Sequence, residues 1–293
     1  HIRALAYLNR SYQELWAGGS SFVPLRHPQW DWLRKATPGL LVLEPEITAG
    51  LVSVTNNDGT ITFSTAPAPL ASVNGTDVVG WFLQVGTDSD VYRLATKTSA
   101  TVYELDANTV YTDATNAAAS YKLFKLQYPL ATDVFKLMHP IRVYDASRKT
   151  ISRTNIKQLD DHYPINKIKV GIPLVYANTG ESVIRFNGYP AALEQVEYDY
   201  FVIPADLTDS ETEEPLVPRV YRYVLSAMAS TFLMMDKEDS RAADMAIIAR
   251  NGISAMIADL NIRPIDESSS PGELTPRPDQ VQKKVKICQE SGT

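Results

Sequence analysis

The sequence predicts an α+β protein: a helical core formed by an N-terminal helix and a C-terminal αα-hairpin, a small antiparallel β-sandwich or barrel inserted into it, and an extended C-terminal tail. Three observations carry this. Apolar residues recur at helical spacing over the first 16 residues and again between 219 and 260. From 48 to 126 the helix signals vanish, and short runs rich in Val, Thr, Tyr and Phe alternate with turn residues. From 264 onward Pro264, Pro271, Pro276, Pro278 and Ser268-Ser269-Ser270 dominate, with little apolar content before Val281. The predicted organisation is a core of residues 1–47 and 127–262, an inserted β domain at 48–126 and an arm at 263–293.

The elements follow in order. Residues 1–16 form an amphipathic helix, because Leu5, Leu8, Tyr12, Leu15 and Trp16 fall at three- and four-residue steps. Gly18, Gly19 and Ser20 end it. The chain opens in mid-helix and without Met, so a few residues are expected to precede it. Pro28-Gln29-Trp30-Asp31-Trp32-Leu33 reads as a short helical turn that inserts indoles into a core. Leu51 to Thr55 and Thr60 to Ser64 flank Asn56-Asn57-Asp58-Gly59, whose Asp-Gly pair signals a hairpin. Further strands are expected at Gly80 to Val85, Val91 to Ala95, Val102 to Leu105 and Tyr121 to Lys125.

Residues 127–205 are mixed. Ile141 to Tyr144 and Thr150 to Ser152 read as strands, and Asn155 to Asp161 as a short helix. Leu174 to Ala177 and Val183 to Asn187 read as a hairpin around Asn178-Thr179-Gly180, and Tyr198 to Ile203 as another strand. Pro204 to Pro218 is an acidic loop carrying Asp206, Asp209, Glu211, Glu213 and Glu214; it reads as solvated surface that puts negative charge near a helix N-terminus. Val220, Val224, Met228 and Phe232 then recur by four, with Tyr221, Leu225 and Leu233 widening the stripe. After a turn at Asp236 to Asp239, a second helix runs to about Leu260, with Ala242, Ala246, Ala249, Ile253, Met256 and Leu260 on one face. Its small residues permit a close helix-helix approach. The tail reads either as an arm ordered on a partner or as a mobile terminus.

Composition narrows the function. A chain of 293 residues with 44% hydrophobic content can bury a proper core. A net charge of −6 argues against a sequence-independent DNA binder. The single cysteine, Cys288, forms no internal disulfide, suits cytosolic folding and reads as a bystander. No apolar run reaches the ~20 residues of a membrane-spanning helix, so no membrane partner is expected. The four histidines, His1, His27, His139 and His162, lack metal-ligand spacing. There is no glycine-rich phosphate loop and no nucleophile elbow. Asp88-Ser89-Asp90 lacks the glycine and distal glutamate of a calcium loop and reads as a tight turn. Asp160-Asp161-His162 has no second group placed to work with it. No catalytic residue, cofactor or metal ligand is predicted. Two basic features remain as candidate interaction residues: Arg142, Arg148, Lys149 and Arg153 in one stretch, and Lys283, Lys284 and Lys286 in the tail. Neither interleaves aromatics as single-strand binders do. The first reads as an inter-subunit salt-bridging surface rather than a DNA groove.

The order of several segments carries a resemblance. In the β region these are Val79-Gly80-Trp81-Phe82, Val91-Tyr92-Arg93-Leu94, Tyr103-Glu104-Leu105-Asp106 and Tyr121-Lys122-Leu123. After it come Tyr128-Pro129-Leu130-Ala131-Thr132-Asp133-Val134-Phe135, Gly171-Ile172-Pro173-Leu174-Val175-Tyr176 and Pro215-Leu216-Val217-Pro218. Together with the flanking helices they resemble the head-to-tail adaptor proteins of tailed phages, over nearly all of the first 262 residues. The resemblance implies a virion protein, assembled in the host cytoplasm, that forms a ring, a dodecamer, beneath the portal. Its partners would be itself, the portal protein and a downstream tail protein. DNA would pass through its channel without sequence-specific binding, and no active site or cofactor is expected. The residues leave a second reading open, a virion receptor- or carbohydrate-binding protein that uses Trp81, Tyr92, Tyr103 and Tyr111 of the β domain. A tail hydrolase would need a carboxylate pair or a metal site that the sequence does not mark.

Overall fold

The structure, a computed structural model, describes residues 2–17, 22, 30–72, 75, 78–87, 90–107, 109–145, 148–180, 182–208 and 213–259. In chain order its helices are α1 (Ile2–Ala17), α2 (Ala68–Ala71), α3 (Ile156–His162), α4 (Arg222–Asp236) and α5 (Ala242–Asp259). The strands of the first half are β1 (Gly39–Leu43), β2 (Val52–Val54), β3 (Thr60–Phe63), β4 (Trp81–Val85), β5 (Tyr92–Lys97), β6 (Val102–Leu105), β7 (Asn116–Ala119) and β8 (Tyr121–Lys125). Those of the second are β9 (Gln127–Pro129), β10 (Val134–Leu137), β11 (Ile141–Val143), β12 (Thr150–Arg153), β13 (Val175–Gly180), β14 (Val183–Phe186), β15 (Glu194–Tyr198) and β16 (Tyr200–Val202). Contacts divide the chain into two units, Asp31–Ala205 and the residues before and after it.

Within Asp31–Ala205 one sheet has the order β7-β2-β3-β6-β5-β4-β8. Its two ends, β7 and β8, are consecutive and separated only by Ser120, so the sheet closes on itself as a barrel. Inward-facing residues of alternate positions fill it. Phe63 lies at the centre, edge-on to Tyr103 at 5.2 Å and to Tyr121 at 4.9 Å. The β2–β3 turn holds Asn57 at φ 61, and the Asp58 side chain accepts the backbone N–H of Thr60 at 2.9 Å.

A second sheet has the order β1-β15-β11-β12-β13-β14-β9, antiparallel except for the parallel β12–β13 pair. The β10–β16 pair ties its ends together, because β16 continues β15 past Asp199 and β10 follows β9 after four residues. Short α3 covers part of one face and buries Leu159. The predicted helical core is therefore corrected. The described chain is mostly β, and residues 127–202, assigned to that core, hold eight strands. These strands are only 3–6 residues long, too short to show more than two or three alternations, and β1 reaches its partner β15 across some 150 residues of chain.

The helices gather in the other unit. Here α4 packs against both α1 and α5. It buries Val224, Leu225, Ala227, Met228, Thr231 and Phe232. Val220, in step with that stripe by spacing, is 75% exposed, because it sits in the 3-10 turn Arg219–Tyr221 that precedes the α-helix. The close approach of α4 and α5 centres on Gly252, where a Cβ would lie 2.5 Å from Val224 Cγ2. The indole of Trp30 is fully buried and donates to the Leu15 carbonyl at 2.9 Å. The helix stop at Gly18-Gly19-Ser20, the Pro28-Gln29 lead-in, Leu260 at the predicted end of the second hairpin helix, and the arm from 263 lie outside the described residues.

Candidate interaction surface

Strand alternation places one row of side chains on the outward face of the second sheet. In β15, Val196 and Tyr198 point inward, so Glu197 points out. Glu197 faces Leu40 on β1 and Arg142 on β11, and Arg142 faces Thr150 on β12. A second row holds Val42 opposite Gln195, whose carbonyl accepts the Tyr144 N–H at 2.7 Å. Leu40, Val42 and Tyr144 are 55%, 45% and 58% exposed. In this strip, exposed apolar side chains on β1 and directly after β11 thus flank opposite charges at facing positions of β15 and β11. The loop after β11 completes it: the N–H of Arg148 donates to the Asp145 carboxylate at 2.8 Å, which closes the turn. Arg142, Tyr144, Asp145, Arg148 and Glu197 line a notch of about 330 Å³.

Of the predicted residues, the structure brings Arg142 and Arg148 together in this notch and leaves Lys149 exposed. Arg153 does other work. Its Nη1 lies 3.1 Å from His139 Nε2, while His139 Nδ1 meets the Tyr176 hydroxyl. A guanidinium only donates, so Nε2 accepts and the proton sits on Nδ1, which donates to Tyr176. Burial, and the charges of Arg153 and Lys136, hold His139 below the usual imidazole value. Lys283, Lys284 and Lys286 lie outside the described residues. Leu40 and Val42 were missed in the sequence. Their signal was the run Gly39-Leu40-Leu41-Val42-Leu43, apolar on both parities of a strand, as expected where both faces are to be covered.

Among the described residues no group of three or more His, Cys, Asp or Glu could hold a metal ion, and no helix is long and apolar enough to cross a membrane. Asp160 is engaged by Arg185 at 2.5 Å. The Arg185 side chain, on β14, is only 5% exposed, and its Nε and Nη2 have no hydrogen-bond partner among the described residues. His162 lies 3.0 Å from the Gln158 carbonyl one helical turn back. Asp88 and Ser89 lie outside the described residues. Trp81, Tyr92, Tyr103 and Tyr111 are all buried.

Comparison with known proteins adds one match. A family model described as SU10 adaptor protein covers residues 76–274. No curated protein matches the chain.

Proposed function

The chain belongs to the SU10 adaptor protein family and is a structural phage head-to-tail adaptor; on that premise we propose that it assembles into a ring beneath the portal and leaves a channel for DNA. The ring is a dodecamer, and it links the filled head to the tail protein below. The observation that carries this reading is the outward strip of the second sheet. Leu40 and Val42 on β1 and Tyr144 directly after β11 lie exposed on either side of β15, whose Glu197 faces Arg142, with Asp145 and Arg148 beside Tyr144, so apolar side chains alternate with charges of both signs across the face. That composition suits contact with another protein better than it suits solvent. A closed ring needs heterologous contacts, in which one face of a subunit meets a different face of the next. The strip supplies one such face, with Arg142 and Arg148 as its cations. The net charge of −6 favours a lumen that repels DNA weakly and lets it slide.

The carbohydrate- or receptor-binding reading loses its support, since the four aromatics it would use are buried in the barrel. Native mass spectrometry of the chain, alone and mixed with portal protein, tests the assembly. Closed oligomers are expected, with Leu40→Asp shifting them to monomers. A wild-type chain that stays monomeric in both samples and binds glycans instead overturns the proposal.

A further inference from the structure

Between α1 and α4 lies an apolar groove of about 540 Å³, floored by Leu5, Leu8, Leu225 and Ala229. Glu213 and Arg222 line it; Asp206 directly precedes the lining residue Leu207, and the Arg222 guanidinium is taken up by Glu214 at 2.8 Å. Glu213 and Asp206 bond to neutral groups: Glu213 accepts the Thr208 N–H at 2.6 Å, and Asp206 accepts from Gln13 at 2.8 Å. With Arg222 neutralised by Glu214, Glu213 at the groove and Asp206 next to it in sequence leave negative charge beside an apolar floor.

We propose that this groove seats the chain's own C-terminal segment, Val281 to Cys288. Two observations carry the assignment. The first is where the chain leaves the helical unit. Residues 260–293 follow α5, whose last residue, Asp259, accepts the Tyr221 hydroxyl. The next residue, Arg222, lines the groove, so the chain departs beside the groove's mouth. Residues 260–280 can reach roughly 70 Å when extended, whereas the stretch of α4 from Arg222 to Ser230 spans only about 12 Å. The second is complementarity. Val281, Val285 and Cys288 fall at four- and three-residue steps, and Lys283, Lys284 and Lys286 lie between them. An apolar stripe meets an apolar floor, and lysines meet an acidic rim.

Tethering makes a weak contact sufficient. A linker of this length gives an effective concentration on the order of 1 mM, so a segment with an intrinsic dissociation constant of about 0.1 mM is seated in roughly nine chains of ten. The seat does not depend on ring formation.

The test uses the full chain, in which Cys288 is the only cysteine. The rate of thiol modification by a disulfide reagent is measured for the wild type, for Val285→Asp in the segment and for Ser226→Arg in the groove, where Ser226 is exposed and tolerates a larger side chain. Both variants are expected to react several-fold faster than the wild type. Zero-length carbodiimide coupling of mixed light and heavy chains is expected to join Lys283, Lys284 or Lys286 to Asp206 or Glu213 within one chain, and Ser226→Arg to abolish those links. Equal thiol rates in all three proteins, or links found only between chains, overturn the proposal.

Discussion

His139 and Arg185 are the two residues whose surroundings most constrain what they do. A protonated His139 would turn a second N–H toward the Arg153 guanidinium, 3.1 Å away. Burial adds to that penalty, and the native value falls below the unfolded one of about 6.5. As pH drops, the unfolded chain takes the proton first. The stability this residue contributes is thus complete above about pH 6.5 and is lost as pH falls through the lower native value. The urea midpoint of the wild type is expected to fall between pH 7.5 and pH 5, and His139→Gln to show a smaller fall; equal slopes would remove His139 as the cause. Arg185 presents the opposite problem, a buried cation whose only ion-pair partner among the described residues, Asp160, is about half exposed. Removing Asp160 leaves that charge unpaired. Asp160→Ala is expected to cost about 1–3 kcal/mol, below the ~3–5 kcal/mol of a broken, fully buried pair because solvent already reaches the carboxylate. Arg185→Met should cost less, since it removes the charge together with its need for a partner. Urea titrations of both variants give the comparison. Neither role was legible in the sequence. Val183 to Asn187 read as a strand, but its local pattern does not say that Arg185 is buried and meets Asp160 of α3.

Helices were legible where they are long. The 15 residues of α4 and 18 of α5 repeat their stripe several times, and the structure keeps both, with the stripe starting at Val224 rather than Val220. Spacing by four continued into the preceding 3-10 turn, where three residues make a turn and the same interval points elsewhere. Strands were legible as local hairpins, as at β2–β3, but not as a second barrel-like sheet, whose order depends on pairings such as β1–β15 that no local pattern encodes. The small residues of α5 did announce a close approach, and the structure puts its tightest point at Gly252. Two effects oppose each other in Gly252→Ala. Helix propensity favours alanine by about 1 kcal/mol, while a Cβ 2.5 Å from Val224 Cγ2 overpacks the contact at about 1–3 kcal/mol. A net loss of stability is expected, and Val224→Ala in the same chain should recover part of it. A double-mutant cycle by thermal unfolding measures this coupling, and additive effects would show that the two residues do not press on each other.

For the molecule as a whole, function was more legible than architecture. The ordered segments pointed to an adaptor even though the core they were assigned to is β and not helical, because such short motifs mark turns and strand ends regardless of what packs around them. The outward strip was illegible for a related reason: an apolar strand such as Gly39 to Leu43 looks the same whether its second face meets the rest of the subunit or the next one. If that face belongs to a neighbour, assembly and folding separate. Leu40→Asp places a charge on a position already 55% exposed but opposite Glu197, so it should cost the subunit no more than about 1 kcal/mol and yet break an interface in which it would be desolvated without a partner. Deleting residues 264–293 separates the same two properties from the other direction, since the described core lies before them. The truncated chain is expected to remain soluble, to keep its cooperative unfolding transition and to assemble more weakly at equal concentration by sedimentation velocity. Loss of folded monomer in either variant would mean that the strip or the arm serves the subunit's own fold, and would remove it from the surfaces available to hold a ring together.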